Sequence, residues 1–138
     1  MKHYSKKVSI KSDQPRDYFA ITQQVSFVVS ESGIEDGLVF CYSNSNSTSL
    51  FVHIEDKKLL QDIDECLHKL APEKPYTQYA FNVNRTDAAA HIKSMLLGRQ
   101  VCVSLSGGQL DLDEDDHIMF ADFDGGREKN ILVKIIGA

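Results

Sequence analysis

Five apolar residues in a row, Leu38-Val39-Phe40-Cys41-Tyr42, stand between Gly37 and a tract of small polar side chains. A near-continuous apolar run of this length reads as a β-strand covered on both faces, and that demands a good deal of partner surface. Residues 49–54 form a second extended run and read as its neighbour. The tract between them, Ser43-Asn44-Ser45-Asn46-Ser47-Thr48-Ser49, is either a solvated hairpin or a cradle of donors for an anion. With 138 residues the chain fits one domain, 1–138, with a real core.

The rest of the pattern surrounds that strand with a mixed set of elements. Residues 6–11 alternate polar and apolar, so they read as a strand, and Asp13-Gln14-Pro15-Arg16-Asp17 is a turn cluster. Tyr18-Phe19-Ala20-Ile21 is a second short strand, and Thr22 is placed to cap a helix over 23–31 that Gly33 ends. Residues 57–70 carry Leu59, Leu60, Ile63, Cys66, Leu67 and Leu70 at helical spacing. Residues 76–86 read as an extended segment leading to a loop. Asp87 can cap a helix over 88–97, stopped by Gly98. Residues 101–105, then 109–112, 118–123 and 131–136, read as strands, the last three forming a C-terminal antiparallel set, with Asp124-Gly125-Gly126-Arg127 as the last tight turn. This order predicts an α+β fold, a sandwich of mainly antiparallel sheet with about three helices.

Charge and cysteine use exclude several classes. A net charge of −5 argues against nucleic acid or an anionic membrane as a partner. No segment offers the ~18 uninterrupted apolar residues of a membrane span, and the N-terminus lacks the apolar centre of a secretory signal. Cys41, Cys66 and Cys102 are an odd number without C-x-x-C spacing, which reads as reduced thiols in a cytoplasmic protein and not as a metal cluster.

Donors for an anion are plentiful. Ser45, Asn46, Ser47 and Thr48 supply hydroxyl, amide and backbone donors, and Arg127 offers a planar fork suited to phosphate or carboxylate. His91 follows Asp87 by one helical turn, so the two face the same way and the acid can orient the ring. The plainer alternatives stay open: Asp87 as a helix cap only, His91 as an interface residue, Arg127 as a partner for Asp124 or Glu128. Asp111, Asp113 and Asp115 are spaced like the first ligands of a calcium loop, yet the glycine and the closing glutamate of such a loop are missing, so a solvated acidic hairpin is the reading. No G-x-S-x-G supports a serine nucleophile.

Several of these stretches resemble the YjbQ family. D-A-A-A-H-I-K-S-M-L-L-G at 87–98 is similar to that family's D-x-x-x-H-I-K helix. D-F-D-G-G-R at 122–127 resembles its E-F-D-G-P-R turn, and V-C-V-S-L-S-G-G-Q-L-D-L its I-P-V-x-x-G-x-L-x-L strand pair. The resemblance implies a compact α+β sandwich, a homotrimer, polar clefts near subunit boundaries, and a side activity as a secondary thiamine-phosphate synthase. It also implies site roles for Asp87 and His91 in catalysis, and for Ser45, Asn46, Ser47, Lys93 and Arg127 in holding a small anionic or phosphorylated ligand. Where the family has H-T-S-A-S-L this chain starts with Ser45, its second histidine falls near Gln78 or Ala80, and its G-T-W-Q becomes Asp113-Glu114-Asp115-Asp116. One histidine of three survives, so no metal and no cofactor are expected unless His53 substitutes. Two readings follow: a divergent enzyme using His91 as general acid/base on a small phosphorylated compound, or an inactive trimeric binding or scaffold protein.

Overall fold

The computed structural model describes all residues, Met1–Ala138. The chain runs β1 (Lys2–Lys11), β2 (Asp17–Ala20), α1 (Thr22–Ser32), β3 (Gly37–Ser43), β4 (Thr48–Ile54), α2 (Lys57–Leu70), α3 (Ala88–Leu97), β5 (Gln100–Ser106), β6 (Gln109–Leu110), β7 (Asp116–Asp122) and β8 (Glu128–Gly137). It is the expected α+β fold with three helices. All strand pairs are antiparallel and fall into two sheets, a five-stranded one in the order β1-β8-β3-β5-β6 and a three-stranded one in the order β2-β7-β4. No helix is long and apolar enough to cross a membrane.

Two pairings differ from the sequence reading. β4 does not pair with β3, whose two edges are taken by β8 and β5. It crosses to the other sheet and pairs with β7, so the polar tract at 43–49 is a crossover between sheets rather than a hairpin. The three C-terminal strands are likewise divided: β7 is the centre of the small sheet, while β6 and β8 belong to the large one.

The strand covered on both faces is β7, not β3. Ile118, Met119, Phe120, Ala121 and Asp122 are all fully buried. Ile118 and Phe120 join the main core between the sheets, with Val25, Val28 and Val29 of α1, Val39 and Cys41 of β3, and Ile131, Val133 and Ile135 of β8. Ala121 faces the other way and packs with Leu67 of α2, Ala90 of α3 and Phe123. Burying a side chain such as Phe120 contributes roughly 1.5–3 kcal/mol. β3 instead turns Val39 and Cys41 inward and leaves Leu38 53% exposed, because no helix lies on that side of the large sheet.

The helix ends show smaller differences. Gly33 closes α1 in the left-handed region, φ 68°, as its position suggests. Thr22 is not the cap of α1 but its first residue. Its hydroxyl accepts from the Ile118 amide at 3.0 Å and bonds His117 Nδ1 at 3.1 Å, tying α1 to β7. α2 is capped by Asp56, whose carboxylate accepts from the Lys58 and Leu59 amides. Its inward stripe is Leu60, Ile63 and Leu67, and Cys66 and Leu70 face solvent. Residues 76–86 are not extended: Tyr76–Gln78 and Ala80–Asn82 are two short 3-10 turns.

One buried ion pair joins the ends of β7 and β8. Lys129 Nζ donates to both oxygens of Asp122 at 2.8 Å and also to the Asp124 carbonyl. The two side chains are 4% and 0% exposed. Removing one partner of such a pair leaves an uncompensated charge in the interior. Asp122→Ala should therefore lose about 3–5 kcal/mol in urea unfolding, whereas Asp122→Asn with Lys129→Met should recover most of that loss. Equal destabilisation by the single and the double variant would show that the pair is not what holds the turn.

Candidate functional site

The crossover at 43–49 is fixed largely by its own hydroxyls. Ser43 and Thr48 share a hydrogen bond, Thr48 Oγ1 donates to the Ser45 carbonyl at 2.7 Å, and Ser45 and Ser47 are linked at 3.0 Å. Ser94 of α3 donates to the Thr48 carbonyl, and Ser49 donates to that of Ser94 at 3.1 Å. These buried bonds seat the N-terminal half of β4 on α3 and aim the remaining donors at the start of that helix.

Ser45, Asn46 and Ser47, together with Asn44, Arg85, Asp87, His91, Arg127, Glu128, Lys129 and Asn130, line a wholly polar cavity of about 370 Å³. Six of the seven residues singled out in the sequence, Ser45, Asn46, Ser47, Asp87, His91 and Arg127, thus converge. The seventh, Lys93, does not. It lies two positions beyond His91, and side chains at that spacing point away from each other on a helix. Lys93 lines a different cavity on the other side of Asp87.

Asp87 stands at the cap position of α3 but makes no cap bond. Asn82 takes that place, accepting from the Ala88 amide at 3.0 Å. The Asp87 carboxylate instead receives both arms of Arg85, at 2.7 and 2.8 Å, and His91 Nε2 at 3.0 Å. His91 Nδ1 contacts the Asn46 carbonyl at 3.1 Å. Phe81 backs the group, with the Arg85 guanidinium 4.2 Å over its ring and His91 edge-on at 5.2 Å. Arg127 pairs with Asp124 and stays 67% exposed.

Arg85, Phe81 and Lys129 are site residues that the sequence reading missed. Arg85 carried a signal in its spacing, two residues ahead of an acid at a helix start. Lys129 and Phe81 carried none.

His91 also borders an apolar groove of about 510 Å³, walled by Gln78, Tyr79, Ala80, Phe81, Ala88 and Ile92. The positions where the resemblance places histidines, Ser45 and Gln78 or Ala80, therefore flank His91 on two sides. Gln78 is turned away from a ligand role, donating to the Pro72 and Pro75 carbonyls at 3.1 and 2.9 Å. His53 does not stand in for them, since it sits at the far end of β4 opposite His117. The acidic run at 111–116 is a solvated turn in which Asp111 accepts from Ser106 at 2.7 Å. No three His, Cys, Asp or Glu side chains are placed to hold a metal ion together.

The fold and this site define a small two-sheet α+β protein with a polar cavity at the start of a D-x-x-x-H helix. Over residues 6–138 the sequence matches the family described as UPF0047 protein YjbQ-like, and the chain belongs to that family. A UPF0047 protein of Archaeoglobus fulgidus is 34% identical over 94% of this chain and 98% of that protein. One of Methanothermobacter thermautotrophicus is 28% identical over 99% of this chain and 94% of that protein. The crystal structure of a YbjQ-like protein of unknown function from Sulfolobus solfataricus superposes with a TM-score of 0.93 at 22% identity, covering 99% of both chains, a likeness of fold. An uncharacterised YjbQ/UPF0047 protein of Clostridium acetobutylicum gives 0.86 at 27% identity, over 95% of this chain and 99% of that one.

The Asp87 carboxyl is held far below its usual range, first by the hydrogen bonds from Arg85, against the opposing effect of burial, and then by His91. A carboxyl depressed in the folded state stabilises the protein above its unfolded pKa of about 3.9, and that contribution fades as pH falls toward the folded value. The urea midpoint of wild type should therefore drop more steeply between about pH 5 and pH 2 than that of Asp87→Asn. Parallel profiles would mean that the Arg85–Asp87–His91 cluster contributes nothing in solution.

Proposed function

We propose that this protein binds a small phosphorylated compound, its phosphate in the polar cavity of Ser45, Asn46, Ser47, His91 and Arg127. The observation that carries the reading is the convergence of the Ser45 and Ser47 hydroxyls, the Asn46 amide and the Arg127 guanidinium on one cavity with no apolar lining residue. Arg127 is the adaptable member. Its pair with Asp124 is exposed and worth little, so a dianion can take the guanidinium over. The adjoining apolar groove beside His91 suits the body of such a ligand, with Asn46 and His91 common to both spaces.

Holding is favoured over proton transfer by the partners of His91: Nε2 is engaged with the Asp87 carboxylate at 3.0 Å and Nδ1 with the Asn46 carbonyl at 3.1 Å, so the ring is fixed as part of the cavity wall. On this reading thiamine-phosphate synthase activity, which the resemblance carries, has lapsed with the histidines replaced at Ser45 and at Gln78 or Ala80.

Inorganic phosphate or a phosphomonoester should raise the melting temperature of wild type and not that of Arg127→Ala. A charge-assisted bond of roughly 1.5–3 kcal/mol corresponds to a loss of about tenfold to a hundredfold in affinity, and Ser47→Ala should lose part of the same shift. No shift in wild type at millimolar anion sinks the reading.

The same reading includes a homotrimer. Leu38 and Ile136 pair across β3 and β8 on the outer face of the large sheet, 53% and 39% exposed, with Tyr42 and Leu132 beside them. A face of that kind is suited to contact between copies. Light scattering at micromolar concentration should give about three times the 15.5 kDa chain mass. A clean monomer removes this part of the proposal and leaves the phosphate site standing.

A further inference from the structure

Lys93 is a cation without a counterpart. It is 2% exposed, and unlike buried Lys129 it forms no ion pair. Its ammonium borders a cavity of about 280 Å³ walled by the loop at 13–16, by Glu73, by the start of α3 and by the turn at 123–126. The turn is pressed onto the loop: the Gly125 amide donates to the Pro15 carbonyl at 3.1 Å, and a Cβ at Gly125 would lie 1.7 Å from the Gln14 carbonyl. Only glycine permits that approach, so the cavity wall is built into the sequence.

The other charges on this wall are already matched. Arg16 is held bidentately by Asp64 at 2.9 and 3.0 Å, with the Tyr18 hydroxyl donating to the same carboxylate. Asp13 pairs with Lys11, Asp87 with Arg85, and Asp124 with Arg127. Lys93 and Glu73 are the two charged wall residues that form no ion pair. A buried ammonium left in that condition is costly to the fold, and a residue kept at such a cost is what a binding function looks like. Burial lowers the Lys93 pKa, Arg16 adds to the effect, and Asp64 and Glu73 oppose it.

We infer that this cavity is a second ligand site, separate from the phosphate cavity, that takes a small amino-acid zwitterion with its carboxylate on Lys93 and its ammonium toward Glu73. The unmatched Glu73 on the same wall opposes a dianion. A single carboxylate answers Lys93, and a cationic end answers the unmatched Glu73.

The test is calorimetric titration of the full-length protein with glycine, β-alanine and 4-aminobutyrate, with acetate and inorganic phosphate as controls. At least one amino acid should bind, and more tightly than acetate. Lys93→Met should weaken that binding by about tenfold to a hundredfold, and Glu73→Gln by about tenfold. Lys93→Met should also melt at a higher temperature than wild type, because it replaces an unmatched buried charge with an apolar chain of similar length. The inference is overturned if no amino acid binds wild type, if acetate binds as tightly, if binding survives in Lys93→Met, or if that variant melts lower, which would make Lys93 a support of the fold.

Discussion

The Asp122–Lys129 pair is the joint on which the functional end of the molecule depends. Asp122 closes the only strand buried on both faces, and Lys129 opens β8, which lies between β1 and β3 in the large sheet. Their contact, with the Asp124 carbonyl as a third acceptor, locks the turn at 122–127 between the two sheets. Everything near the candidate sites refers to that turn. Phe123 donates its amide to the Ser47 carbonyl, Arg127 leans over the polar cavity, and Gly125 forms the wall opposite Lys93. A buried ion pair is a costly way to fasten two strands, but it fixes a single geometry where an apolar contact would allow sliding.

Helix α3 distributes chemistry to two sides. Its first turn carries Asp87 and His91 toward the crossover, while Lys93 goes to the opposite wall. The helix can do this because Ser94, Ser49 and Thr48 hold it to β4 through buried hydroxyl bonds, while the small buried side chains Ala88, Ala89 and Ala90 seat its N-terminal end. The N-terminal amide of the helix is satisfied by Asn82 from the preceding turn, which releases the Asp87 carboxylate for Arg85 and His91.

Local signals in the sequence fared well, and pairings fared badly. Gly33, Gly98 and the Asp124–Arg127 turn end their elements where the chain's own dihedral needs place them. The helix at 88–97 has its expected bounds. The partner of β4 was not legible, because an apolar run states that a strand is buried but not by what. Leu38–Tyr42 and Ile118–Phe123 look alike as strings, yet only the second has helices on its far side. Among site residues, Asp87 and His91 were readable from one-turn spacing, and Ser45, Asn46 and Ser47 from composition. Lys93 was placed with them by resemblance, whereas helical phase sends it elsewhere. Asp122 and Lys129 gave no cue, since their partnership exists only across the turn.

Two of the three thiols of the chain mark the two faces of the large sheet, and the third marks the helical side. Cys41 of β3 is fully buried in the core, and burial pushes its pKa up to about 12, so it is chemically silent. Cys102 of β5 is paired opposite Phe40 and therefore shares the outer, uncovered face. Cys66 lies exposed on α2, on a different surface. Alkylation thus samples the open sheet and the helical side independently, with an inert interior sulfur as internal reference. A copy of the chain seated on the outer face would slow Cys102 and leave Cys66 as it was, which gives the molecule its own gauge of which surface is in water.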